Sequence, residues 1–170
     1  MSNRAFLRST PPPRLCFLQA NVGRGGSSHL ILLQAAFHGK YDVIFVQEPW
    51  TKTINSKNVT KAHPAYVILT PNRDWKNSRP RVITYVRKKS NLRPIQLDCG
   101  FSPDIIILRF QCSPSLEVIN VYRPPQAPMP ESLSALLSWP IKPNTIIVGD
   151  FNLHHELWEP NVSRSSGVSS

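Results

Sequence analysis

Residues 146–160 read IIVGDFNLHHELWEP. A run of apolar, β-branched residues stops abruptly at Gly149-Asp150-Phe151-Asn152, with His154 and His155 just behind. In layered α/β folds the side chains just past a strand's carboxyl end are released from the core and gather ligands, so Asp150 and Asn152 are expected at such an end. Three other apolar runs finish in the same manner. LCFLQAN ends on Asn21, DVIFVQE ends on Glu48, and LEVINVY ends on Tyr122, with Asn120 two residues earlier. If these strands lie side by side, two carboxylates, two or three amides and a phenol meet on one rim.

Such a set consists of hard oxygen ligands with amide donors. Carboxylate and amide oxygens suit Mg²⁺ or Mn²⁺, whereas zinc would want cysteine or more histidine. Taken singly, each residue also has a plainer reading: Asp150 as a turn former, Glu48 as a loop entry before Pro49, Tyr122 as a core residue with a satisfied hydroxyl. The four strand ends in this order are what favour chemistry.

Around them the chain reads as one α/β (α+β) domain. RLCFLQAN is an expected strand, followed by a helix over SSHLILLQAAFHGK with Ser27 or Ser28 as N-cap and Gly39 as stop. YDVIFVQEPW is the next strand, and residues 51–62 read as a polar, lysine-bearing loop. AYVILT, RVITYVRK, DIIILRFQC, LEVINVYRPP and NTIIVGDFN are further strands, with a short helix over PESLSALLSW between the last two. Near-continuous apolar runs of this kind suit strands covered on both faces. Expected boundaries are a loose tail at 1–13, a domain at 14–160 and a polar tail at 161–170. No internal repeat is visible.

Seventeen prolines in 170 residues are about twice ordinary usage of roughly 5% and mark loops. Twenty Lys and Arg against ten Asp and Glu give a net charge of +10, which favours a polyanionic partner or simply solubility. Three cysteines without C-x-x-C spacing argue against a disulfide framework or a zinc site. The start lacks the apolar core of an export signal, and no run is long enough to span a bilayer. The expected setting is intracellular, nuclear or cytoplasmic and not secreted, so the glycosylation sequons at Asn58 and Asn161 are chance matches.

A basic cluster runs through SRPRVITYVRKKSNLR. Arg81, Arg87, Lys88 and Lys89 could form a phosphate-contacting edge, with Trp75 in the preceding loop stacking on a base. A solvated, charge-protected edge strand explains them equally well. Without a bulge, Arg81 and Arg87 share a face. His29, His38 and His63 match no motif and are expected on surfaces.

The stretches LQANVGR, VQEPW, VINVYRPP and IIVGDFN resemble the successive motifs of the endonuclease/exonuclease/phosphatase superfamily. VGDFNLHHELWEP is similar, more narrowly, to the endonuclease domain of LINE-type (non-LTR) retrotransposons, and the likeness runs from about Leu15 to the end. The resemblance implies two packed β-sheets flanked by helices, Mg²⁺-dependent hydrolysis of a DNA phosphodiester, and duplex DNA as a largely sequence-tolerant partner. It implies metal roles for Asn21 and Glu48, a scissile-phosphate contact for Tyr122, and roles toward the attacking water and transition state for Asp150 and Asn152. His154 and His155 occupy the subgroup's own H-H position, with loop ordering beside Trp158 as their expected task. Family members carry further strands with a late Asp-His pair, so the last strands are expected to be missing here and turnover to be impaired. Two rivals remain: a non-catalytic nucleic-acid-binding relic, and a phosphatase of the same fold acting on phospholipid or inositol phosphate.

Overall fold

The computed structural model describes residues 14–55, 57–71, 79–88, 90, 92–98, 103–125 and 131–152. Trp75, Lys89, His154, His155 and Trp158, as well as both expected tails, lie outside the described residues.

Strand β1 (Phe17–Asn21) leads through helix α1 (Gly26–His38) to β2 (Val43–Gln47), and β1 pairs parallel with β2. Near the other end, β9 (Leu116–Tyr122) leads through α2 (Glu131–Ser138) to β10 (Thr145–Asp150), again a parallel pair. Each crossover returns the chain to the same starting pole, so each parallel pair ends at one pole. Between them come β5 (Tyr66–Leu69), β6 (Val82–Arg87), β7 (Pro94–Leu97) and β8 (Ile105–Phe110). One sheet has the order β1-β2-β6-β5 and the other β10-β9-β8-β7. Both repeat one plan: a parallel pair at one edge, then two antiparallel pairings.

Strand parity divides the core into three layers. Val43, Phe45, Val82, Val86, Ile106, Leu108, Phe110, Val118 and Tyr122 fill the space between the sheets. The opposite parity of the first sheet, with Ile44, Val46, Ile83 and Tyr85, packs on Leu33 and Ala36 of α1. In the second sheet Ile105, Ile107, Ile119 and Val121 pack with Leu136 of α2. The result is the expected helix-flanked sandwich, and it explains the continuous apolar runs: β2 is buried at every position.

Four details differ from the sequence expectation. Residues 51–62 are not a plain loop, because β3 (Thr51–Ile54) and β4 (Lys57–Thr60) form an antiparallel hairpin. Asn55 supplies its left-handed turn at φ 49°, and Thr53 Oγ1 donates to Asn58 Oδ1 across the strands at 3.0 Å. Strand β7 went unseen since Pro94 opens it, yet it lies at the sheet edge, where a missing N–H is tolerated. The N-cap of α1 is Gly25 rather than Ser27 or Ser28. Ser28 Oγ instead donates to the carbonyls of Val22 (3.0 Å) and Gly25 (3.2 Å), and a Cβ at Gly25 would collide with that hydroxyl. Lastly, His29 is not on the surface but fully buried, whereas His38 is exposed. No described helix is long and apolar enough to cross a membrane.

Candidate active site at the shared strand ends

The registers bring the named residues to one pole. Asn21 lies opposite Gln47, with Glu48 next along the chain, and Asp150 lies opposite Tyr122. Antiparallel β6 begins at this same pole, where Val82 pairs with Gln47, so Arg81 stands beside Glu48 and its carbonyl accepts the Glu48 N–H at 2.9 Å. Likewise β8 begins here, and Tyr122 N–H donates to the Asp104 carbonyl at 2.9 Å. Asn21, Tyr122 and Asp150 share the parity of the inter-sheet core, so they continue its stack to the rim.

Hydrogen bonds then join the two sheets across that rim. Asn21 Nδ2 donates to Asp150 Oδ2 at 2.7 Å and lies 3.3 Å from Glu48 Oε1. Tyr122 OH donates to Glu48 Oε1 at 2.8 Å. Burial raises the Tyr122 pKa to about 12, helped by that hydrogen bond and by the charges of Glu48 and Asp150, with Arg24 opposing. Tyr122 therefore remains a hydrogen-bond donor at neutral pH. Asp150 Oδ1 accepts the Asn152 N–H at 3.2 Å, so both carboxylate oxygens are oriented. Asn152 Nδ2 donates to the Arg123 carbonyl at 2.7 Å, and Arg123 Nη1 donates back to the Asn152 carbonyl at 2.7 Å. One of the two amide hydrogens of Asn152 is thereby committed, leaving the other for the rim.

The backbone is contorted at this place. Glu48, Arg24 and Asn152 have φ of 46°, 58° and 43°. Asn visits this region readily, but for Glu and Arg it costs about 1–2 kcal/mol each. Arg24 N–H bonds the Glu48 carbonyl at 2.7 Å, so each strained residue holds the other. Gly149 has a different task. A Cβ there would lie 1.9 Å from the Val121 carbonyl oxygen, so glycine lets β10 approach β9 and seats Asp150 against Tyr122.

Beneath the rim runs a buried amide chain. Gln19 Nε2 donates to Gln47 Oε1 (2.6 Å), Gln47 Nε2 donates to Asn120 Oδ1 (2.7 Å), and Asn120 Nδ2 donates to the Ile83 carbonyl and Thr84 Oγ1 (both 3.1 Å). Gln47, Thr84 and Asn120 are buried, so leaving any partner unpaired would cost about 1–3 kcal/mol. This chain fixes one sheet against the other directly below Glu48 and Tyr122.

Of the described basic residues expected to contact phosphate, Arg81, Arg87 and Lys88, Arg81 alone reaches the rim. It pairs through both Nε and Nη2 with the carboxylate of Asp104 and lies over the Tyr122 ring at 5.8 Å. Arg87 sits at the far end of β6, on the α1 face, and donates to the carbonyls of Tyr41 (2.9 Å) and Phe37 (3.1 Å) and to the Tyr66 hydroxyl (3.1 Å). The expectation that Arg81 and Arg87 share a face fails because the strand starts at Val82 and Arg81 turns toward the second sheet. Lys88 follows Arg87 at that far pole and is exposed. Sequence reading missed Arg24, Gln47, Asp104 and Arg123. The signal for Gln47 was present, a polar residue at inward parity in an otherwise apolar strand.

As a metal site the donor set fits in part. Glu48 and Asp150 face the same amide and offer hard oxygens suited to Mg²⁺. Asn21 presents nitrogen to them and its Oδ1 to the Gly23 N–H at 2.8 Å, so it becomes a ligand only with its amide turned. Among the described residues no three His, Cys, Asp or Glu side chains gather as a metal cage.

The endonuclease-reverse transcriptase family model matches residues 116–169, which carry Tyr122, Asp150 and Asn152. No curated protein matches the sequence. Among solved structures, the endonuclease domain of TRAS1, a telomere-specific non-LTR retrotransposon, matches with a TM-score of 0.67 at 17% identity. That match covers 85% of this chain and 62% of that domain, so the chain spans less than two thirds of its length. Over 85% of its length the chain resembles in fold the endonuclease domain of TRAS1, and over residues 116–169 it resembles in sequence the endonuclease-reverse transcriptase family.

Proposed function

We propose that this rim hydrolyses a phosphodiester in DNA with a divalent cation, Mg²⁺ or Mn²⁺, held at Glu48. The observation that carries the reading is the hydrogen-bonded convergence of Asn21, Glu48, Tyr122 and Asp150 at the shared strand ends of two sheets. When bound, the cation supplies positive charge to a phosphoryl oxygen and to the leaving alkoxide. Glu48, with Asn21 beside it, is the ligand side of the site. Tyr122, kept protonated, turns its one hydroxyl hydrogen from Glu48 to the scissile phosphate when substrate is bound. Asp150, oriented by Asn21 and by the Asn152 N–H, positions the attacking water and takes its proton. The remaining amide hydrogen of Asn152 stabilises charge on the phosphoryl oxygen as it develops.

The partner in this reading is duplex DNA, held through phosphates rather than base edges, in keeping with the net charge of +10. Arg81 fits that role at the rim. Arg87, Lys88, Lys89 and Trp75 belong to the same proposal, with Arg87 and Lys88 contacting a duplex long enough to reach the far pole.

The test uses this chain extended at its carboxyl end to the full length of a retrotransposon endonuclease domain. That protein should nick supercoiled plasmid in Mg²⁺, and Asp150→Ala should lower the rate by about 10²–10⁴, the usual worth of general acid–base help. Nicking that Asp150→Ala leaves untouched would remove Asp150 from the mechanism and the reading with it.

A further inference from the structure

Beside Glu48 lies a cavity of about 240 Å³. Arg24, Arg79, Arg81, Glu48 and Thr51 line it, while Asn21 and Asp150 do not. The three guanidinium groups are unequally engaged. Arg81 is neutralised by Asp104, and Arg24 Nε stands 3.7 Å from Glu48 Oε2. Arg79 has no acidic partner among the described residues; its Nη1 reaches only the Thr51 carbonyl, at 3.4 Å. A water's share of liquid volume is about 30 Å³, so the cavity has room for a phosphate group.

The β3–β4 hairpin grows out of the same wall, since Thr51 both lines the cavity and opens β3. Pairing sets Ile54 opposite Lys57 and Lys52 opposite Val59, which places Lys52, Ile54 and Lys57 on one face. All three are exposed, and residues 51–62 contain no acid. Lys61 continues the positive charge at the hairpin base, its Nζ lying 4.2 Å from the Trp50 ring centre.

We infer that this cavity is a second phosphate subsite, which seats the backbone phosphate neighbouring the reacting one, and that the lysine face of the hairpin carries the strand onward. The inference rests on the reading of the rim as a DNA phosphodiesterase and gives the cleft a direction: from Asp150, across Glu48, into the arginine pocket and along the hairpin. Guanidinium groups suit the task because they bind phosphate in a fork that fixes its orientation.

The experiment measures binding of a labelled duplex to the 170-residue chain by anisotropy across a range of salt. Each lost phosphate contact lowers the slope of log K against log salt by about 0.9. Arg79→Gln should lower it by about one such step, and Lys52→Gln with Lys57→Gln by about two. Lys40→Asn, a charge removed beyond the carboxyl end of α1, should leave the slope unchanged. Slopes equal to wild type in both hairpin-side variants would overturn the subsite while leaving DNA binding intact. A wild-type chain that binds no duplex would overturn the rim reading and the subsite together. Independently of any variant, titrating the wild-type chain with a short single-stranded oligonucleotide should shift the amide resonances of Thr51 and Arg79. No shift at either would overturn the inference.

Discussion

Glu48 shows what the fold asks of single residues. Its left-handed backbone aims the carboxylate at Tyr122 and Asn21 instead of along the strand. Tyr122→Phe removes the hydroxyl that fixes Glu48 Oε1. Cation affinity is expected to weaken several-fold while the melting temperature changes little, and an unchanged affinity by isothermal titration would free Tyr122 of that role. His29 is tuned in the opposite sense. The Trp50 N–H donates to its Nδ1 at 3.2 Å, so the ring proton sits on Nε2, 3.0 Å from the Tyr85 hydroxyl, which donates to the Lys61 carbonyl at 2.6 Å. Burial, with the charge of Lys61, lowers the His29 pKa from 6.5 to about 4. The fold thus holds the neutral ring. Between pH 6.5 and 4 the unfolded chain binds a proton that the folded chain refuses, so stability falls as pH drops through this window. A loss on the order of 2 kcal/mol by pH 5, measured by denaturant unfolding and absent in His29→Gln, is the expected result. The quartet at the rim was legible because strand ends stand out against apolar runs. His29 was legible too, through its spacing with buried Leu33 and Ala36 at i, i+4 and i+7, but reading by motif alone put it on the surface.

Among the elements, β10 depends most on one position. Gly149→Ala would force a Cβ into the Val121 carbonyl, and no side-chain rotation can relieve a backbone clash. The expected cost is about 1–3 kcal/mol, together with displacement of Asp150, read as a lowered melting temperature and a weakened cation site. Wild-type stability in Gly149→Ala would mean that β10 does not approach β9 so closely. Asn120→Leu tests the amide chain between the sheets. It strands Gln47 Nε2 and Thr84 Oγ1 without a partner, with an expected loss of about 1–3 kcal/mol by thermal melting. The elements that the sequence concealed have weak apolar signals. The β3–β4 hairpin is held by its Asn55 turn and threonine hydrogen bonds rather than by burial, and β7 is a four-residue edge strand opening with proline. Strands between the two sheets and the helices announce themselves by continuous hydrophobicity, whereas strands in a solvated hairpin or at an edge do not.

At the scale of the molecule, two sheets built on one plan meet so that both parallel pairs end at the same pole. That meeting unites residues from four distant parts of the sequence, and the bond from Asn21 to Asp150 spans 129 positions. The holding of a cation at Glu48, with the charge of Asp150 close by, is the central claim, and a titration of Mn²⁺ followed by the loss of its free paramagnetic signal tests it most directly. The wild-type chain should bind Mn²⁺ weakly, Glu48→Gln should abolish that binding, and Asp150→Asn should weaken it. Equal affinity in wild type and Glu48→Gln would contradict the account.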